Sequence, residues 1–222
     1  MMNLQKMGGI AALYEAATYV FSMVGYILVV GIVGVVDPAK QVALMVDNQD
    51  IMYILNLFGY IVFGIVLVVV VLALYERLKP GSPAMMQIAT AIGLIWACIV
   101  IASGMISNIG MENVVDLYGT DPAQAATGWL AIGSVIKGLG GGTEILGGLW
   151  VLLVSWAALR SGGLPKALNY LGVVISVPAI ISIVPGLGEL GVIFGGIFGL
   201  GQIAWFIWLG IVMLRNSPRA AA

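Results

Sequence analysis

The residues best placed to do chemistry in this chain are Lys137 and Glu144, a cation and an anion set into the apolar run Gly133–Gly148. On a helix, Lys137, Gly141, Glu144 and Gly148 fall at i, i+4, i+7 and i+11, so both charges and two positions without side chains share one face. An ionised group at the centre of a bilayer costs roughly 2.5 to 3.5 kcal/mol on insertion scales, so this face is expected to look into a helix bundle. The two charges stand about 10 Å apart along a straight helix, so each needs a further partner unless the side chains reach toward each other. Glu15 and Gln202 are the candidates, and the four together make the expected binding or ion-relay site. The competing reading is a buried pair that only ties helices together. Glu15, counted from a helix beginning at Gly8, is expected near one membrane boundary, within reach of headgroup water, which favours a structural role there.

Other chemistries lose their usual residues. There is no histidine, the commonest transition-metal ligand and the default general base near neutral pH. The single cysteine, Cys98, lies within an apolar segment and reads as a small buried side chain. Neither a His-Glu-x-x-His zinc motif nor a phosphate-binding Gly-x-x-x-x-Gly-Lys-Ser loop occurs. Ser134 and Lys137 stand at i and i+3, a spacing open to a serine–lysine dyad, but such a lysine must also be desolvated. No catalytic residue, metal or cofactor is assigned, and an enzyme is the least expected class. A net charge of −1 gives no basic field for nucleic acid.

The elements that must position these residues follow from composition. Of 222 residues, 61% are hydrophobic and 9% charged, against about 25% charged in soluble domains, which points to the lipid bilayer as solvent. Windows of about 20 apolar residues predict an all-α, polytopic membrane protein with a single bundle of six transmembrane helices, at about 8–36, 51–75, 85–109, 127–159, 167–184 and 190–214. The fourth run exceeds a bilayer's need by about ten residues, so it must tilt, protrude or break at the glycine cluster Gly138–Gly142. Lys6, Arg77, Lys79, Arg160, Lys166, Arg215 and Arg219 all fall on one side of that layout. Asp37, Asp47, Asp50, Glu112, Asp116, Asp121 and Glu189 fall on the other, with Lys40. The positive side is the cytoplasmic one, so both termini are expected there.

Smaller signals fill in the layout. Asp121-Pro122 reads as an N-cap followed by proline at the first helical position. Gly191, Gly195 and Gly199 form overlapping small-xxx-small steps that let helix backbones approach closely, as Gly141 and Gly148 do in the fourth run. Packing within the chain is the expected use of the stripe in the last helix, with a homo-oligomer or a partner membrane protein as the alternative. Trp205 and Trp208 read as belt or lipid-facing residues.

Two cytoplasmic turns carry a resemblance. Tyr75-Glu76-Arg77-Leu78-Lys79-Pro80, and Gly147-Gly148-Leu149-Trp150 followed by Arg160-Ser161-Gly162-Gly163-Leu164-Pro165-Lys166-Ala167-Leu168, resemble the signature of a bacterial multi-pass family catalogued as domain of unknown function four-three-eight-six. The resemblance implies a bacterial inner-membrane location and brings no established activity, cofactor or site residue. Two functions stand ahead of an enzyme: a non-catalytic accessory or scaffold subunit packing against other membrane helices, and a small-solute or ion carrier or channel built on the Lys/Glu face. The small number of polar groups in the spans places the scaffold first.

Overall fold

The computed structural model describes residues 3–139, 145–184, 187 and 189–215. Regular structure among them is helical throughout: α1 Leu4–Val24, α2 Pro38–Asp47, α3 Gln49–Asn56, α4 Phe63–Leu78, α5 Pro83–Tyr118, α6 Pro122–Leu139, α7 Ile145–Ser161, α8 Lys166–Ile181 and α9 Glu189–Arg215. A π-helical segment, Gly25–Val29, continues α1, and a second, Leu57–Val62, joins α3 to α4. Four stretches are long and apolar enough to cross a membrane: Leu4–Val29, Gln49–Leu78, Pro83–Tyr118 and Glu189–Arg215. Two shorter apolar helices, α7 and α8, accompany them.

One of the expected spans differs from what is seen. The first helical stretch ends at Val29 rather than near residue 36, and Gly31 and Gly34 follow at φ +68° and +85°. These left-handed conformations suit glycine and carry the chain out of the helix. Within the run expected at 127–159, α6 is described to Leu139 and α7 from Ile145, and most of the glycine cluster where a break is expected lies between them, outside the described residues. Gly141 and Glu144 lie outside the described residues. Helix α6 opens as its sequence predicts, with Asp121 Oδ1 accepting the Gln124 N–H at 2.9 Å and Pro122 leading the helix.

The chain divides into two compact units. The first comprises Met1–Ala17, Gly64–Cys98 and Gly142–Ala222; the second comprises Thr18–Phe63 and Ile99–Gly141. In the first unit, Trp150 of α7 sits at the centre of an aromatic cluster, with ring centroids 5.7 Å from Trp96, 5.8 Å from Trp205 and 6.4 Å from Phe206. Glycine makes the room: a Cβ on Gly93 would lie 2.6 Å from Trp150 Nε1, and one on Gly147 2.9 Å from Trp96 Cζ2. In lipid such packing is held by van der Waals fit rather than by exclusion of water. The two signature turns meet in this unit. Arg77 Nε donates to Gly163 O at 2.9 Å, Arg77 Nη1 to Gln5 Oε1 at 3.2 Å, and Ser82 Oγ to Ala157 O at 3.3 Å.

The second unit has its own core of Val30, Val42, Met45, Met52, Leu55, Met111, Val114 and Ala125. Helix α2 starts at Pro38 with Asp37 Oδ1 accepting from Ala39 N at 3.0 Å, and it presents Val42 and Met45 to that core. Trp129 of α6 packs against the same core and donates its Nε1–H to Gln41 Oε1 of α2 at 2.9 Å.

Candidate functional site

The first unit buries a carboxyl group. Helix α1 presents Gly8, Ala12, Glu15 and Ala16, residues that fall on one face by 3.6-residue periodicity, and the last three are essentially inaccessible. The small residues bring α1 against α9: a Cβ on Gly9 would lie 3.1 Å from Gly210 O, and one on Gly210 would lie 2.8 Å from Gly9 O. That approach carries Glu15 inside with it. Its exposure is 0%, and neither Oε1 nor Oε2 has a hydrogen-bond partner among the described residues.

Glu15 lies further along its helix than a start at Gly8 implies. The helix begins at Leu4 rather than Gly8, so Glu15 is eleven residues, about 16 Å, along a stretch that runs to Val29. That is near the middle.

Gln202 of α9 is also 0% exposed, with both amide atoms unpartnered among the described residues. Further orphan polar atoms belong to the same unit: Thr90 Oγ1 of α5, Ser155 Oγ of α7, Asn169 Oδ1 of α8 and Trp205 Nε1 of α9. Two of them converge on one point, since a Cβ on Gly172 would collide with Ser155 Oγ and lie 2.9 Å from Trp205 Nε1. Trp205 is fully buried, contrary to its expected place at the belt, because α9 turns it into the aromatic cluster; Trp208 is the exposed one. Buried polar groups are normally paired, so this concentration in one unit is unusual.

Of the other expected members of the site, Glu144 lies outside the described residues. Lys137 belongs to the second unit and is exposed, in the last turn of α6, where a cation complements the helix dipole. Ser134 Oγ is turned back onto Leu130 O at 2.9 Å, so nothing of a serine–lysine dyad is assembled. Cys98 is exposed rather than buried.

The glycines divide in two. A Cβ on Gly148 would lie 2.6 Å from Ala179 Cβ, so α7 and α8 pack closely there. On α9, a Cβ on Gly195 or Gly199 would meet nothing within 4 Å, and one on Gly191 would make ordinary contacts with Ser182 O and Leu187. Among the described residues nothing packs against the stripe at Gly195 and Gly199.

The second unit holds polar residues that hydropathy passed over. Tyr26 Oη donates to Asn56 Oδ1 at 2.6 Å, and Asn56 Nδ2 donates to Asn108 Oδ1 at 2.9 Å. Both asparagines are buried. They are uncharged and isolated within apolar runs, so a search for intramembrane charge misses them; a search for any amide within a predicted span would have found them.

Among the described residues the regular structure is helical, with four helices long and apolar enough to cross a membrane, and a carboxyl group is buried in one of them, as expected of a helical membrane protein. Residues 10–212 match the family described as Domain of unknown function (DUF4386), and the chain belongs to that family. No curated protein and no solved structure matches it.

Proposed function

We propose that this protein is a small-solute or ion carrier of the bacterial inner membrane in which Glu15 is the working group, binding and releasing a proton as the carrier cycles. The observation that carries this reading is the complete burial of Glu15 with both carboxyl oxygens unpartnered among the described residues. A carboxyl without a counter-charge is cheapest in apolar surroundings as the neutral acid, and ionising it requires a change of surroundings or a bound cation. Intramembrane ionisable groups mark transport paths and proton relays by default. Six spans, with both termini cytoplasmic, accommodate the four long helices together with α7 and α8 and keep Arg77, Lys79, Arg160 and Lys166 on one side. The role is non-catalytic.

The test is proton movement in proteoliposomes carrying an internal pH indicator. Protein-dependent proton uptake under an imposed gradient is expected to vanish in Glu15→Gln and to survive in part in Glu15→Asp. Equal uptake by wild type and Glu15→Gln would remove the proposal. A second reading, an accessory subunit for another membrane protein, is favoured by the open face at Gly195, Gly196 and Gly199. It predicts a stable partner on native mass spectrometry that Gly199→Leu displaces while Glu15→Gln does not.

A further inference from the structure

In the second unit, polar side chains gather where helix geometry departs from α. The π segments Gly25–Val29 and Leu57–Val62 both border the Tyr26–Asn56–Asn108 chain: Tyr26 lies in the first, Asn56 immediately precedes the second, and Tyr60 lies within it. A π turn carries an extra residue in the helical turn and occurs mostly at functional sites. Glycines bring the segments together. A Cβ on Gly59 would lie 2.5 Å from Ser22 Oγ, and one on Gly104 would lie 2.6 Å from Tyr60 Cβ and 3.4 Å from Asn56 O.

Two hydroxyls are left over. Ser22 Oγ and Ser103 Oγ are enclosed and have no hydrogen-bond partner among the described residues, and Ser103 is 1% exposed. Ser22 stands four residues before Tyr26, on the same helical face, and Ser103 directly precedes Gly104, whose Cβ position lies 3.4 Å from Asn56 O. The chain also leaves capacity unused: Tyr26 Oη can accept a bond besides the one it donates, and the Asn108 amide has hydrogens beyond the bond it accepts. Hydroxyl, amide and phenol are all neutral here. A charged ligand would find no counter-charge in this set, whereas a molecule that both donates and accepts through hydroxyl groups could satisfy each orphan atom.

We propose that Ser22, Tyr26, Asn56, Ser103 and Asn108 form a binding site for a small hydroxyl compound, either water or a short polyol. The site is separate from Glu15 and stands whether or not the protein is a carrier. Radiolytic footprinting of the full chain in proteoliposomes tests it, because hydroxyl radicals born from bound solvent oxidise the side chains they touch. Tyr26 is expected to be oxidised several-fold faster than the buried Trp150 in wild type, and to fall to the Trp150 background in Ser22→Ala/Ser103→Ala and in Asn56→Leu/Asn108→Leu. The first variant leaves the Tyr26–Asn56–Asn108 bonds intact, so it decides the matter if the second does not fold. Added glycerol should slow oxidation of Tyr26 more than that of the exposed Tyr53 if the site takes a polyol, and equally if it takes water alone. Oxidation of Tyr26 at the Trp150 background in wild type, or an unchanged rate in Ser22→Ala/Ser103→Ala, would overturn the proposal.

Discussion

The two units handle buried polarity in opposite ways. In the first, Glu15, Gln202, Ser155 and Trp205 Nε1 are sealed in with no hydrogen-bond partner among the described residues. In the second, Tyr26, Asn56 and Asn108 satisfy one another in a continuous chain. A paired network fixes a structure, since breaking it strands the remaining members; an unpaired group costs stability and holds interaction capacity in reserve. The first unit thus holds an unspent, titratable group, whereas the second holds a paired chain beside two unpartnered hydroxyls, Ser22 and Ser103.

Substitutions can break this comparison, starting where packing encloses the orphan groups. Gly172→Val would drive a side chain into Ser155 Oγ and toward Trp205 Nε1, and should cost roughly 3 kcal/mol or prevent folding. Gly195→Val, which meets open space, should leave the melting temperature in detergent nearly unchanged. Similar behaviour of the two would mean that the first unit is looser than drawn.

Opposite signs are expected from the two polar sites. Asn56→Leu leaves Tyr26 Oη and Asn108 Oδ1 without partners and should destabilise by about 2 to 3 kcal/mol in reversible denaturation. Glu15→Leu removes a buried group that loses no partner, and should stabilise by about 1 to 2 kcal/mol while abolishing proton uptake. Destabilisation by Glu15→Leu comparable to that of Asn56→Leu would erase the distinction.

The smallest effect belongs to the surface. Lys79 Nζ lies 2.9 Å from Glu76 Oε1, and that hydrogen bond raises the lysine above its ordinary value of 10.5. A group with a raised folded-state pKa contributes stability that is fully present below the unfolded value and is lost as pH rises through the folded one. Glu76→Gln should therefore leave the melting temperature almost unchanged at neutral pH. Whatever small difference exists from wild type should fade above the ordinary lysine range.

Much of this was legible from residue types. Low charge and long apolar runs gave helices and membrane-crossing length, Asp121-Pro122 marked the start of α6, and Gly148 marked a close helix contact. Glu15 and Gln202 were picked out as polar residues in apolar runs, but depth and partners were not readable. Burial of Glu15 depends on four more residues of helix before Gly8 and on the approach of Gly9 to Gly210, a contact across most of the chain. Lys137 is exposed in the second unit and Glu144 lies outside the described residues, so the face the two are expected to share is not described. Neither window averaging nor periodicity registers the π segments, which depend on how α1, α3 and α5 pack around Gly25, Gly59 and Gly104.

Infrared difference spectroscopy of wild type against Glu15→Gln in lipid at neutral pH interrogates the buried carboxyl most directly. A carbonyl stretch of a protonated, non-hydrogen-bonded carboxylic acid, present in wild type and absent from the variant, is the predicted result. A difference spectrum containing only the symmetric and antisymmetric stretches of an ionised carboxylate would contradict it, since Glu15 would then have a counter-charge or water within reach.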